Sequence, residues 1–396
     1  MENRYAGAAK APLPHPMYQP QFRKEFRTAE VMFGYFALQS PHSRLVLKPI
    51  RHRGKSPSAP PPPNLGRNLQ MTYFKQTFCA AAILAAAAIP ARAETLTMLS
   101  SWDESYNAVP VFAQGFAEKL AENSGGDLTV ELRGPETVSP FEQLQPVSAG
   151  LFDMLFTHGA YHLGETAMAF GMDAVDDDPE ARRESGIFDV IDSHYNKRNL
   201  KLIGVFSAAS GYHIMLRDPI GEDGALEGRK IRASGTYHDL VTELGGSVVT
   251  LPASEIYSSL ERGVVDGAAW PVFGAMDYKW YEVADYMTRP TFGVTNLSLF
   301  MNLDTWNGLS KDQQTMVIDT AKELEVEGRL HFEDLWAKED KAMQEAGLEI
   351  TQFGDETAEN VNAIFAAGIW KQVEEKAGED GAAFHDLAVE KGLTAE

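Results

Sequence analysis

The residue best placed to do chemistry is Arg232. It ends the run Gly228-Arg-Lys-Ile-Arg232, and Leu251-Pro-Ala-Ser-Glu255-Ile-Tyr257-Ser-Ser-Leu260-Glu-Arg-Gly263-Val-Val-Asp266-Gly267 follows it. The pattern reads as an Arg fixed on a short strand, a connecting helix, and a one-helix return to a second strand. A guanidinium offers a rigid fork of donors that matches a carboxylate or sulfonate in two parallel hydrogen bonds, and it does not lose its charge. Each charge-assisted bond contributes about 1.5–3 kcal/mol, so one bidentate contact supplies a large share of the ~8 kcal/mol of a micromolar complex. This is binding chemistry. The sequence carries no Gly-x-Ser-x-Gly elbow and no phosphate-cradling glycine loop, and its single cysteine is Cys79.

Aromatic and imidazole side chains fall at the other positions where a ligand would be met. Asp266-Gly267-Ala268-Ala269-Trp270-Pro271 sets Trp270 as a large apolar wall with one donor, with Phe273 close behind it, which suits a ligand with a flat or aliphatic face beside its anionic end. Trp102, after the first expected strand, and Thr157-His158-Gly159-Ala160-Tyr161, after the third, lie where parallel sheets place ligands, outside the carboxyl ends of the strands. Trp102, His158 and Tyr161 are therefore candidate contacts. His213, in Gly211-Tyr212-His213, can donate to an anion and gains charge below about pH 6.5, so a contact there predicts affinity rising in mild acid. Arg217, four positions on, is the substitute. His158 and His162, with Glu165 nearby, have a spacing that suits zinc on a helix, but Gly159 argues for a turn. Asp176-Asp177-Asp178 lacks the ligand spacing of a calcium loop and reads as a solvated face. Neither a metal nor a cofactor is expected.

Taken together, these residues resemble the core signature of the solute-binding proteins of TRAP transporters, the DctP family of periplasmic receptors that capture small organic acids. Arg232 stands on the Gly-x-Lys-x-Arg pattern of that family, Glu255 and Tyr257 belong to the signature, and the positions after Asp266-Gly267 correspond to those that line its cleft. Many members carry Asn where Trp270 stands, and the departure disfavours a highly hydroxylated sugar acid. Keto-acid members place an acidic residue before such a Trp to help hold a metal ion; Ala269 stands there instead. At the position where the resemblance implies a second Arg common in the family, this sequence carries His213 instead. The resemblance covers Glu94 to about Phe353. It implies a two-lobed α/β fold of the periplasmic binding protein type (type II), with long C-terminal helices bracing both lobes. It also implies hinge closure over a carboxylate or sulfonate and delivery to TRAP transporter membrane subunits. Two rivals stand beside it: a receptor feeding a sensor kinase, and a periplasmic enzyme acting on a carboxylic acid with His158 or His213 as base. Against the enzyme, neither His has a suitable second catalytic group next to it in the sequence.

The elements that must position these residues alternate between strand and helix. Thr95 to Ser100 is β-prone; Val109, Phe112, Phe116 and Leu120 recur at helical spacing until Gly125-Gly126; Leu128 to Leu132 alternates as a strand. A helix over Phe141 to Ala149 and a strand over Leu151 to Thr157 complete a βαβαβ order, which implies a parallel sheet. Further strands are expected at Lys201 to Phe206, Tyr212 to Leu216, Arg229 to Ala233, Ser247 to Leu251, Val264-Val265 and Thr295 to Asn302. Helices are expected over Tyr237 to Leu244 and Ser254 to Glu261, and Ser310 with Gln313 forms a capping box opening a long helix to about Gln344. On this reading 94–213 with 297–335 form one lobe, and 214–296 with 336–396 form the other together with the C-terminal helices.

The amino-terminal part sets the compartment. Met71-Thr-Tyr-Phe-Lys75, an apolar run from Phe78 to Ile89 and Ala91-Arg92-Ala93 read as a signal peptide at 71–93 cleaved after Ala93. The basic, Pro-rich residues 1–70 precede it and read as an extension from an upstream start codon, with Met71 the initiator. Cleavage would leave 22 basic against 53 acidic residues, a net charge of about −31 that disfavours nucleic acid and anionic membranes. No later stretch reaches the ~20 apolar residues of a spanning helix. Without Cys79 the mature chain has no disulfide, and its core must be held by packing alone.

Overall fold

The computed structural model describes residues 94–221 and 224–394. The expected signal peptide, its cleavage site, Cys79 and the upstream segment 1–70 lie outside the described residues.

Eleven strands among the described residues form two sheets. The first contains β1 (Glu94–Ser100), β2 (Leu128–Arg133), β3 (Met154–Thr157), β4 (Leu200–Ser207) and β10 (Asn296–Asn302). The second contains β5 (Tyr212–Leu216), β6 (Lys230–Arg232), β7 (Ser247–Val249), β8 (Gly267–Pro271), β9 (Tyr286–Arg289) and β11 (Glu349–Gln352). Their orders are β2-β1-β3-β10-β4 and β11-β9-β5-β8-β6-β7. The βαβαβ reading of the first lobe holds for its parallel half, where Leu96 pairs with Val130 and Met98 with Met154. The sheet as a whole is mixed, because β10 inserts antiparallel between β3 and β4. That insertion follows from the chain's return: β10 arrives from the other sheet rather than through a crossover helix.

Several local signals act as the sequence predicts. Gly125 and Gly126 both adopt positive φ where the first helix stops. Ser310 and Gln313 form the reciprocal capping box at 3.2 and 2.9 Å, opening the 35-residue helix Lys311–Glu345. One strand is misplaced by the sequence: Val264-Val265 lies in the turn after helix Ile256–Glu261, and the strand begins at Gly267. The Asp176–Asp178 run is also more than a solvated face. Asp177 pairs with Arg329 of the long helix at 2.9 Å, and Asp178 caps the helix Pro179–Ser185 through the Ala181 N–H at 2.8 Å.

The chain passes between the sheets three times: from Ser207 to Tyr212, from Arg289 to Asn296, and along the helix Lys311–Glu345 to β11. The long helix is bonded to both. Glu325 accepts from the Val205 N–H of β4 at 3.1 Å and from Arg183, while Glu339 accepts from the N–H groups of Gly274 and Met276, just after β8, at 2.7 and 3.0 Å. The terminal helices Asp355–Ala377 and Glu379–Glu390 do likewise. Gln372 donates to the Gly235 carbonyl at 3.2 Å in the second lobe, and Asp380 meets His194 and Lys197 of the first at 2.6 and 2.7 Å. Β5 lies wholly in the second sheet.

Candidate functional site

The two sheets present their loop ends to a shared cavity. From the first sheet come Trp102 after β1, His158 and Tyr161 after β3, and Leu297 of β10, with Thr295 just before it; from the second come Tyr212, Arg232, Ser234, Thr236, Tyr237, Trp270 and Pro271; Tyr106 completes the wall. This is the position strand topology assigns to ligands in open α/β sheets.

Arg232 is fully buried at the end of β6. Its Nε and Nη2 donate to the Leu251 carbonyl at 2.9 and 2.7 Å, and Nη1 donates to the Ala269 carbonyl at 3.2 Å. Of five N–H donors these bonds engage three, leaving one on each terminal nitrogen without a protein acceptor. Its charge has no carboxylate partner among the described residues, and its Cζ lies 5.0 Å from the Trp270 ring centroid. Leu251 and Ala269 thus fix the head of the side chain while its outer edge stays open for an anion.

Aromatic rings make up most of the remaining wall. Trp102 donates from Nε1 to the Tyr161 hydroxyl at 3.2 Å and packs 5.5 Å from Tyr106, measured between ring centroids. Tyr212 and Tyr237 meet edge to face at 5.0 Å. Burial pushes the phenols of Tyr106, Tyr212 and Tyr237 well above the usual tyrosine range, so all three stay protonated. For Tyr237 the nearby Arg232 charge opposes that rise and Asp173 adds to it. The hydroxyls of Tyr106 and Tyr237 make no hydrogen bond among the described residues, whereas Tyr212 donates to Asp173 Oδ2 at 2.8 Å.

His158 is held in one state by its neighbours. Its Nδ1 accepts from the Ala160 N–H at 3.1 Å, which leaves Nε2 to donate to Asp173 Oδ2 at 2.9 Å. The intervening Gly159 permits this turn because a Cβ there would lie 2.3 Å from the Phe170 nitrogen. His162 bonds the Tyr195 hydroxyl at 2.6 Å, and burial lowers its pKa to about 3. The two imidazoles therefore serve different partners, and among the described residues no three or more His, Cys, Asp or Glu groups gather to hold a metal ion.

Of the residues singled out by sequence, Arg232, Trp270, Trp102, Tyr161 and His158 meet at the cavity, and His213, Phe273 and Tyr257 stand outside its lining. His213 is fully buried, 3.5 Å from Arg289 Nη1, and burial with that positive neighbour lowers its pKa to about 3. The affinity increase expected from its charging near pH 6.5 therefore has no source. Strand alternation explains the exchange: Tyr212, one residue earlier, faces the cavity, so His213 points to the other side of the sheet. Arg217 is exposed at the far end of β5. Phe273 lies behind Tyr106, stacked on it at 5.2 Å and against Phe332 at 4.7 Å. Tyr257 reaches away from the cavity to Glu282 at 2.9 Å. Tyr106, Tyr212 and Tyr237 escaped the sequence reading, because aromatic residues beside strands and turns carry no local signal of which cavity they will enter.

A buried cation that has no carboxylate partner among the described residues and faces a cavity lined from both sheets marks a two-lobed receptor for a small anion. Comparison with known proteins places it more narrowly. The family model DctP, bacterial extracellular solute-binding protein family 7, matches residues 102–376, and the chain belongs to that family. The outer membrane transporter protein TsaT of Comamonas testosteroni is 25% identical over 281 residues, 67% of this chain and 82% of that protein. A monocarboxylate 2-oxoacid-binding periplasmic protein of Nostoc is 26% identical over 233 residues, covering 55% of this chain and 62% of its own length. Among solved structures, a TRAP transporter solute-binding protein of Bordetella bronchiseptica, with calcium and picolinate in its site, superposes with a TM-score of 0.69. It shares 17% identity, over 76% of this chain and 92% of that one. At that identity the likeness is one of fold.

Proposed function

We propose that this protein is a periplasmic receptor that closes over a small organic anion and hands it to the membrane subunits of a TRAP transporter. The observation that carries the reading is Arg232: a fully buried guanidinium with no carboxylate partner among the described residues and an unused donor on each terminal nitrogen. An uncompensated buried charge is unfavourable by several kcal/mol, and a bound carboxylate or sulfonate removes that penalty. Because the wall comes from both sheets, a ligand touching it interacts better with the closed arrangement, and that difference drives closure. Arg232 grips the anion, while Trp270, Trp102, Tyr161 and His158 enclose the rest of the ligand.

The same geometry speaks against an enzyme. His158 is the one imidazole lining the cavity, and both of its nitrogens are engaged, Nδ1 by the Ala160 N–H and Nε2 by Asp173. No lone pair is left to take a proton from a ligand. Export follows from the leader expected at 71–93, and no helix among the described residues is long and apolar enough to cross a membrane. Native mass spectrometry of the protein recovered from its periplasm tests the reading. One organic anion is expected, released chemically unchanged after prolonged incubation; a converted ligand makes the protein an enzyme. Affinity capture of membrane partners should recover permease subunits, and capture of a sensor kinase alone would reassign the receptor to signalling.

A further inference from the structure

We propose that Ala209 is a strained hinge: closure of the lobes holds it in the left-handed backbone region, and relief of that strain on opening sets how readily the receptor releases its anion. This rests on the receptor reading above and adds the release step. Three observations at one crossover carry it.

The first is backbone conformation. Ala209 has φ of +45° in the crossover from Ser207 to Tyr212. Its Cβ crowds the neighbouring carbonyl oxygen there, so a left-handed Ala is disfavoured by a factor of about 5–30 relative to its ordinary regions. Asn199 and Lys279 are the other described non-glycine residues with positive φ, and neither lies in a crossover between the sheets. The crossover running beside it, from Arg289 to Asn296, meets the same demand with Gly293, whose φ is +64° and which holds that conformation without strain.

The second is the pairing around it. The Ala208 N–H donates to the Thr295 carbonyl and the Thr295 N–H donates to the Ser210 carbonyl, both at 3.0 Å, so Ala209 between them is bulged out of register. On either side the two crossovers are locked together. Ser207 pairs with Asn296, and Tyr212 and Phe292 exchange bonds at 2.7 and 3.1 Å. Gly293 is locked as well: its N–H donates to Asn362 Oδ1 at 2.9 Å, and a Cβ there would overlap the Phe365 ring, both on the helix Asp355–Ala377. Ala209 forms no backbone–backbone hydrogen bond among the described residues. Its torsions can turn without breaking the ladder, which is what a hinge residue must do.

The third is what holds the strain in place. The Ala209 N–H donates to the Ser207 hydroxyl at 3.0 Å, and that hydroxyl donates to Asp177 Oδ2 at 3.0 Å. Asp177 is paired with Arg329 of the long helix that bonds to both sheets. Thr295, bonded to both flanks of the bulge, also lines the cavity. An anion packed against Thr295 therefore supports the bulge, and its loss leaves the strain free to favour opening.

Titration calorimetry on the exported protein, stripped of bound anion by unfolding and refolding, first selects the tightest probe among acetate, pyruvate, benzoate, succinate, gluconate and benzenesulfonate. Ala209→Gly then keeps the bulge and removes the strain. The Gly variant is expected to bind that probe about 5-fold or more tightly, chiefly through slower release in stopped-flow displacement. Ala209→Val, whose branched side chain tolerates positive φ less well than Ala, should release it faster, and the Gly comparison decides the matter even where the Val variant does not fold. Thermal melts of the ligand-free chains separate a hinge from a purely structural role, because strain present in both open and closed states would move the melting temperature and leave the release rate alone. Release from the Gly variant at the parental rate or faster overturns the proposal and leaves the receptor reading intact. Absence of binding of all these anions by the parent up to about 10 mM, weaker than any useful affinity, overturns the receptor reading and the hinge with it.

Discussion

Asn107 and Asp277 clasp each other across the mouth of the cleft. Asn107, on the loop that follows β1, places its Nδ2 3.0 and 2.9 Å from the two carboxylate oxygens of Asp277, and its backbone N–H lies 3.2 Å from one of them. Asp277 belongs to the segment after β8, in the other sheet. Next to this clasp, Tyr106 stacks on Phe273 and Tyr278 at 5.2 and 5.9 Å, so a polar latch and an aromatic one close the same seam.

The latch predicts a kinetic effect. Asn107→Ala removes the side-chain half of the clasp without touching the cavity lining. Hydrogen bonds to a charged group contribute about 1.5–3 kcal/mol, and apparent affinity scales with the closed population. Ligand affinity should fall about 10-fold or more, chiefly through faster release, as read by stopped-flow displacement. An unchanged release rate would mean that the clasp follows closure without favouring it.

Gly274 predicts a steric counterpart. It has φ of +94°, and a Cβ there would lie 2.6 Å from Cε2 of Tyr106, inside the aromatic seam. Gly274→Ala should therefore strain its own turn and wedge the lobes apart. Weaker binding is expected together with a larger radius of gyration in solution scattering with saturating ligand, while Asn107→Ala at saturation should scatter like the parent.

How much of this was legible in the sequence follows from the range of the interactions. Alternation over Leu128 to Leu132, the stop at Gly125-Gly126 and the Ser310/Gln313 box are decided within a few residues, and each appears where expected. Arg232 was legible because its signature is local, a strand end followed by a return helix. Strand facing was not. Tyr212 and His213 are neighbours, and only pairing with β8 and β9 decides which one enters the cavity. Asn107 and Asp277 stand 170 positions apart, and nothing near either announces the other. The shift from Val264-Val265 to Gly267–Pro271 has the same origin: two β-branched residues favour a strand locally, but β8 starts where Gly267 can pair with Leu216 and Ile231.

Arg232 itself predicts that charge alone is insufficient. Lysine supplies a point charge with three donors and cannot span Leu251, Ala269 and a ligand together. Arg232→Lys should weaken binding of the tightest anion about 10- to 100-fold, the loss of one charge-assisted bond. Calorimetry beside a thermal melt separates that loss from unfolding, because a folded Lys variant with parental affinity would remove the bidentate grip from the account.

Glu339 predicts the pH dependence of stability. It sits on the long helix, nearly buried, accepting from the N–H groups of Gly274 and Met276. Burial raises its pKa to about 7, the Asp277 charge adds to the rise, and the backbone donors oppose it. An unfolded Glu titrates near 4.3, so between these values the folded chain binds more protons than the unfolded one. Stability from this group is thus fully present below about pH 4.3 and is lost as pH rises through 7. The span corresponds to about 4 kcal/mol. Glu339→Gln keeps an acceptor for the two N–H groups but cannot ionise. The parent should lose stability between pH 5 and 8 with a slope that the Gln variant lacks, and the variant should melt higher than the parent at pH 8. Parallel melting curves for the two proteins across that interval would show that Glu339 is already ionised in the fold at pH 5, with the backbone donors outweighing burial.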